Sequence, residues 1–288
     1  RQMCIRDRFL GRQKVFFTLG QDEVLDKILM KSFNAVRAGQ RRGGVVPSEI
    51  QALEPLVHEM RLIKSKYEIS LMKKSAKISV DAHKRIFENC KPGVFEYQIE
   101  ADIIHEFGKH GAVPAYTSIV ASGQNACTLH YISNRDKMKS GQLLLTDAGC
   151  ENEMYAADIT RTIPVSGEYS KEQKEIYELV LEVQKNAINS IKPGQTFEGL
   201  QSDAIKGLTK GLKKLGLLKG RVDQLIKSEA YKDFYMHGIG HWLGMDVHDV
   251  GSYIDQKGKS RKFENGMVLT IEPGIYISKK NRKGKLLI

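Results

Sequence analysis

The sequence predicts an α/β (α+β) fold made of two related halves, and three observations carry that expectation. An ordered set of features occurs twice: a helix opened by a capping box, a Lys-Pro-Gly stop, a Phe-Glu pair and a second helix. The two stops, Lys91-Pro92-Gly93 and Lys192-Pro193-Gly194, lie 101 residues apart. Each copy then leads into strand-like sequence. There GQLLLTDAG, from Gly141 to Gly149, aligns without gaps on GMVLTIEPG, from Gly266 to Gly274, so Asp147 and Glu272 hold the same place in the two halves.

Taken in order, Asp22 to Phe33 reads as a short amphipathic helix with Val24, Leu25, Ile28, Leu29 and Phe33 on its apolar side. Arg37 to Pro47, with three glycines, reads as a loop, and Pro55 to Met60 as a connection. Residues 1–60 are therefore expected to be the remnant of an N-terminal domain plus linker. Residues 1–8 within it have the look of a non-native extension, and residues 61–288 form the main domain. Ser65-x-x-Glu68 opens a helix running through Ile69, Met72, Ala76, Val80, His83, Ile86 and Phe87, and a second helix spans Phe95 to Lys109. Ser170-x-x-Gln173 opens the counterpart, through Ile176, Val180, Val183, Ala187 and Ile191, with its second helix from Phe197 to about Gly216.

Between the halves, residues 141–165 read as a hairpin. A turn at Asn152-Glu153 would set Asp147 opposite Asp158, about 5 Å apart, where like charges repel. Such a pair calls for a cation or a proton; alternatively, the aspartates are solvated and bonded to backbone. Three further donors cluster downstream: His237, His241 and His248, interleaved with Gly238, Gly240 and Gly244. The glycines argue against a helix and for a loop or strand that lets backbone approach a ligand. His130, just ahead of the hairpin, is a weaker candidate, whereas His83, His105 and His110 read as structural or surface residues. Three carboxylates plus imidazole, without cysteine, suit Mn²⁺, Co²⁺, Fe²⁺ or Zn²⁺, and enough carboxylates to bridge point to two ions.

Net charge is +11, but residues 1–46 contribute +6 and residues 279–288 contribute +5, leaving the middle neutral. A nucleic-acid face has little support there. The four cysteines show no CxxC spacing, which fits reduced thiols and a cytoplasmic protein. No apolar run approaches a membrane span. Both ends have the look of cuts: the first residue is Arg1, and the last are apolar. By symmetry the second half should supply another carboxylate after Glu272, yet residues 273–288 hold none, so it is expected beyond Ile288.

In these residues the chain resembles the aminopeptidase P (Xaa-Pro aminopeptidase) branch of the pita-bread metallopeptidases. The stretches that carry the resemblance are LLLTDAGCENEMYAADITRT, YMHGIGHWLGMDVHDVG and GMVLTIEPGIYI, supported by LHYISN and ENCKPGVFEYQIEADI. The resemblance implies a pita-bread (creatinase/aminopeptidase-like) fold with a pseudo-twofold duplication, truncated at both ends, in which residues 61–288 are the catalytic domain. It implies Asp147, Asp158, His241 and Glu272 as ligands of two divalent ions, typically Mn²⁺, with Asp158 bridging. It also implies His130, His237 and His248 as pocket residues and Glu272 as a proton carrier. A fifth family ligand has no match here, so weak or absent activity is expected of residues 1–288 alone. The implied substrates are peptides with proline in second position, and the implied full-length state is a homo-oligomer. Prolidase and a non-catalytic binding protein of the same fold are the competing readings.

Overall fold

The computed structural model describes Phe9 and residues 11–38 and 45–278. The opening eight residues, Cys4, the glycines of the expected loop at 39–44 and the basic end at 279–288 lie outside the described residues. The chain divides into two compact units, Arg1–Met60 and Arg61–Ile288.

In the first unit β1 (Lys14–Phe16) pairs in parallel with β2 (Glu49–Gln51). Helix α1 (Glu23–Ala38) starts where the Asp22 carboxylate accepts the N–H groups of Val24 and Leu25. It is longer than its pattern implied, so Arg37 is helical rather than in a loop. Its buried stripe is Leu29, Phe33 and Val36, while Val24, Leu25 and Ile28 are exposed. The stretch expected to be a connection is helix α2 (Glu54–Leu62). Pro55 sits in its first turn, where a missing N–H costs nothing.

The second unit holds the duplication. Helix α3 (Lys66–Asn89) opens on a capping box between Ser65 and Glu68, and α5 (Lys171–Ser190) opens on one between Ser170 and Gln173. Their partners are α4 (Glu96–Lys109) and α6 (Phe197–Lys214), followed in the second half by the short α7 (Val222–Lys227). The apolar residues of α3 and α4 pack against the first-half strands, through Ile86, Ile103, Phe107, Val120 and Leu144 among others. The second half has its own core around Leu200, Leu208, Tyr235 and Trp242. Val80 and Phe87, expected on the buried side of α3, are exposed, and Ser75 and Ser79 are buried instead. The two serines bond outward to the sheet: Ser75 Oγ donates to the Tyr155 carbonyl at 2.8 Å, and Ser79 Oγ accepts the Cys150 N–H at 3.0 Å.

Hydrogen bonds record the pseudo-symmetry directly. Gly93 N–H donates to the Met138 carbonyl and Met138 N–H to that of Val94. In the second half Gly194 donates to Phe263 and Phe263 to Gln195. Gly93 and Gly194 have φ of 94° and 92°, and Gly141 and Gly266 have 80° and 95°.

Strands β4 (Ile119–Ser122), β5 (Leu143–Asp147) and β8 (Thr160–Pro164) form one antiparallel sheet in the order 4-5-8. Strands β3 (Val113–Pro114), β6 (Cys150–Asn152) and β7 (Tyr155–Ala156) form another in the order 3-6-7. The expected hairpin register is corrected here. Asn152 pairs with Tyr155 and Asp147 with Thr160, so the turn is Glu153-Met154, and Asp158 falls opposite Gly149. Asp147 and Asp158 therefore share a face as diagonal rather than direct neighbours. Both turn residues have positive φ, 52° and 68°, as a two-residue turn matched to strand twist requires. Contacts with α3 choose them over Asn152: Lys74 binds Glu153 at 2.7 Å, the Tyr155 hydroxyl donates to Glu68, and Asn152 is buried.

In the second half, residues 239–243 and 268–272 pair in the manner of β4 and β5. Leu243 donates to Val268, Thr270 to His241, and Glu272 to Ile239. Among the described residues no strand returns from Glu272 as β8 returns from β5.

Where the first hairpin crosses between its two sheets, a Cβ on Gly149 would lie 1.7 Å from the Ala157 carbonyl oxygen. Gly149→Ala is expected to destabilise the protein by about 2 kcal/mol in urea unfolding, because backbone must move. Gly108→Ala, in α4 with open space around it, is expected to stabilise by about 0.5 kcal/mol; equal effects of the two changes would contradict this packing.

Candidate metal centre

The 237–248 stretch is not helical, as its glycines demand, and the pairing of 239–243 with 268–272 sets His241 beside Glu272. The His241 Nδ1–H donates to the Trp242 carbonyl at 2.9 Å, which fixes the tautomer and leaves the Nε2 lone pair for a ligand. That Nε2 lies 3.2 Å from Asp158 Oδ2 and 3.2 Å from Glu272 Oε1. Asp158, His241 and Glu272 each offer a ligand atom within 4.8 Å of the others. Thr270 holds Glu272 by donating its hydroxyl to Oε1 at 2.8 Å, and accepts the His241 N–H at 2.9 Å.

Asp147 stands next to this trio and joins it through Tyr116. The Tyr116 hydroxyl lies 2.5 Å from Asp147 Oδ1 and 3.1 Å from Asp158 Oδ1. Behind Asp147, buried His83 donates Nε2–H to the Ala148 carbonyl, the structural role expected of it. His105 and His110 are exposed.

The remaining candidates are spread around the trio. The ring of His248 lies 4.1 Å from that of His241. His237 donates Nδ1–H to the Gly238 carbonyl, so its Nε2 accepts the Tyr276 hydroxyl at 3.1 Å. His130 is exposed with a left-handed φ of 57°, and no hydrogen bond or ion pair ties it to the other candidates.

The electrostatics are those of an anionic pocket short of positive charge. Burial, then repulsion from Asp158 and more weakly from Glu272, pushes the Asp147 carboxyl up to about 7. Burial alone would lower His241, but its bonds to Asp158 and Glu272 outweigh that and raise it to about 10. Burial and the two aspartates raise Tyr116 well above an ordinary phenol, so it remains a hydrogen-bond donor. A half-buried group of carboxylates, of which Asp147 holds its proton to about 7, around an imidazole whose Nε2 faces Asp158 and Glu272, fits a divalent cation.

Sequence reasoning missed Tyr116, Thr270 and Tyr276. Thr270 and Tyr276 lie two before and four after Glu272, which alternation along an extended segment could have flagged. Nothing in the sequence marks Tyr116, which reaches the aspartates from the link between β3 and β4.

Fold and site together bring a carboxylate and imidazole cluster that could hold a metal ion to the meeting of two duplicated halves, and comparison with known proteins gives the class. Residues 70–286 match the model of metallopeptidase family M24, and the chain belongs to that family. It is 45% identical to Xaa-Pro aminopeptidase of Escherichia coli over 269 residues, spanning 93% of this chain and 60% of the relative. It is 54% identical to that of Haemophilus influenzae, spanning 80% of this chain and 54% of the relative. Among solved structures, Pseudomonas aeruginosa aminopeptidase PepP superposes with a TM-score of 0.90 at 49% identity, over 96% of this chain and 63% of that one. Zinc-substituted E. coli aminopeptidase P in complex with product superposes with a TM-score of 0.90 at 43% identity, with the same coverage. The architecture is the pita-bread fold, and the chain spans under two thirds of the length of these relatives.

Because Asp147 titrates from a raised value, its contribution to stability is present at low pH and is lost as pH rises through about 7. In EDTA, Asp147→Asn is expected to gain stability relative to the parent between pH 5 and 8, read as a widening difference in Tm. A difference independent of pH would contradict the assigned charge state.

Proposed function

We propose that this chain carries the catalytic domain of an aminopeptidase that removes an N-terminal residue preceding proline, using two divalent ions, Mn²⁺ in the first instance. The observation that carries the proposal is the convergence of Asp158 and Glu272 on the free nitrogen of His241. Similarity to the Xaa-Pro aminopeptidases of E. coli and H. influenzae, and to the zinc-substituted E. coli aminopeptidase P, supports it. On this reading residues 61–288 are the catalytic domain and residues 1–60 the end of an N-terminal domain, in a protein that assembles as a homo-oligomer.

Asp147, Asp158, His241 and Glu272 would hold the ions, with Asp158 between them. When bound, such ions lower the pKa of water and polarise a carbonyl. The protein's own residues do the rest. Glu272 is the most open of the trio, with 38% of its side chain exposed, and would carry a proton between water and the leaving proline nitrogen. Tyr116 donates its hydroxyl to both aspartates and fixes their spacing. His237 and Tyr276, joined by a hydrogen bond, and His248, its ring tilted against that of His241, would line the peptide cleft and orient the scissile carbonyl. His130, which is exposed, would line the pocket on the strength of the family resemblance alone.

Metal and peptide tests separate the readings. The chain is expected to bind Mn²⁺ and, at no more than a weak rate without the fifth family ligand, to cleave Ala-Pro-Ala in preference to Ala-Pro. Asp158→Asn and His241→Ala are expected to lower kcat/KM by about a hundredfold or more. Cleavage of the dipeptide alone would favour a prolidase, and cleavage unaffected by chelator or by these variants would refute the metal mechanism.

A further inference from the structure

Behind the metal centre, Lys64 and Asp249 form an ion pair with each side chain only 1% exposed, Nζ to Oδ2 at 2.9 Å. Arg61 takes the other oxygen of Asp249 at 2.5 Å and also binds Asp246, 62% exposed, at 2.7 Å. Removing two charges from water costs about as much as their attraction returns, and apolar residues of matching volume often hold such a place with no loss of stability. Stability is therefore a poor explanation for the pair, and its surroundings supply a better one.

Three chain segments meet on it. The Asp249 N–H donates to the Trp242 carbonyl at 3.0 Å, the same oxygen that fixes His241 Nδ1 at 2.9 Å. Asp249 also follows His248 directly, so anchoring its carboxylate anchors the ring packed against His241. Gly244 lies over the pair with no room for a side chain: a Cβ there would be 2.0 Å from Asp249 Oδ2 and 2.9 Å from Lys64 Cε. The Gly244 carbonyl accepts the Ala156 N–H at 2.9 Å, two residues before Asp158. The Lys64 N–H donates to the Gly266 carbonyl at 2.8 Å, where the segment bearing Glu272 begins.

We propose that Lys64 and Asp249 are positioning residues that hold His241, His248 and Glu272 in register with Asp158. The inference rests on the reading of Asp158, His241 and Glu272 as metal ligands. Neither residue touches ion or substrate in this arrangement. A charged pair of fixed length and direction locks the loop at 242–249 to the segment beginning at Gly266, whereas an apolar contact would leave both free to slide.

The test uses Lys64→Met/Asp249→Leu together, because removing one partner alone leaves the other charge buried and unpaired. Three properties are measured: Tm in EDTA, the Mn²⁺ dissociation constant by calorimetry, and the visible absorption spectrum of the Co²⁺-loaded protein. The double variant is expected to keep the metal-free Tm near that of the parent, yet bind Mn²⁺ about tenfold or more weakly with an altered Co²⁺ spectrum. If it does not fold, Lys64→Gln/Asp249→Asn, which removes both charges and keeps polar side chains of similar size, replaces it with the same expectation for affinity and spectrum. Asp246→Asn, which removes only the exposed partner of Arg61, is expected to leave both unchanged. Parental affinity and spectrum in the folded variant would overturn the proposal and reduce the pair to packing. A parent protein that takes up no Mn²⁺ would overturn the metal reading, and this inference with it.

Discussion

The carboxylates of Asp158 and Glu272 meet on one nitrogen of His241, and much of the second unit is arranged to keep that nitrogen aimed. Its other nitrogen is tied to the Trp242 carbonyl, its backbone N–H to Thr270, and its ring rests against His248. Like charges held together in a half-buried pocket repel, and the protein without a cation relieves that repulsion by keeping protons on Asp147 and His241. A cation displaces those protons. The same constraint that makes the site costly to fold makes it a strong receptor for a divalent ion, the usual bargain at functional sites.

The duplication explains how the four proposed ligand positions reach one place from segments up to more than a hundred residues apart. Each half presents a carboxylate at the end of its GxxxxxxxG segment and holds its neighbouring loop from the first residue of the second helix. In the first half that residue is Glu96, fully buried, whose carboxylate accepts from the Ser122 N–H and hydroxyl, Asn125, Tyr131 and the Asp136 N–H. In the second half it is Phe197, packed against Trp242, Tyr253 and Phe263. One half pins its loop by hydrogen bonds and the other by aromatic packing, with the backbone bonds at Gly93 and Gly194 unchanged.

Features governed by local chemistry were legible in the sequence. The two capping boxes, the stops at Lys-Pro-Gly and the non-helical course of 237–248 follow from hydroxyl, proline and glycine properties that act over a few residues. The equivalence of Asp147 and Glu272 was legible because duplication writes it twice. What depended on distant contacts was not. The hairpin turn moved by one residue because Lys74, Glu68 and Ser75 on α3 bind its flanks, and Asn152, the better turn former by itself, is buried instead. Tyr116 could not be singled out, since only the pairing of β3 and β4 with strands further along brings it to the aspartates. The apolar pattern of α3 misplaced Val80 and Phe87 because two serines, satisfied by the sheet, occupy the buried stripe.

The central claim is that these carboxylates and His241 form a receptor for two cations. It is tested most directly by anomalous diffraction at the manganese edge from crystals equilibrated with Mn²⁺. The account predicts one peak among Asp158, His241 and Glu272 and a second beside Asp147, both lost in Asp158→Asn. Peaks elsewhere, or none with the Tyr116 hydroxyl still bridging Asp147 and Asp158, would contradict it.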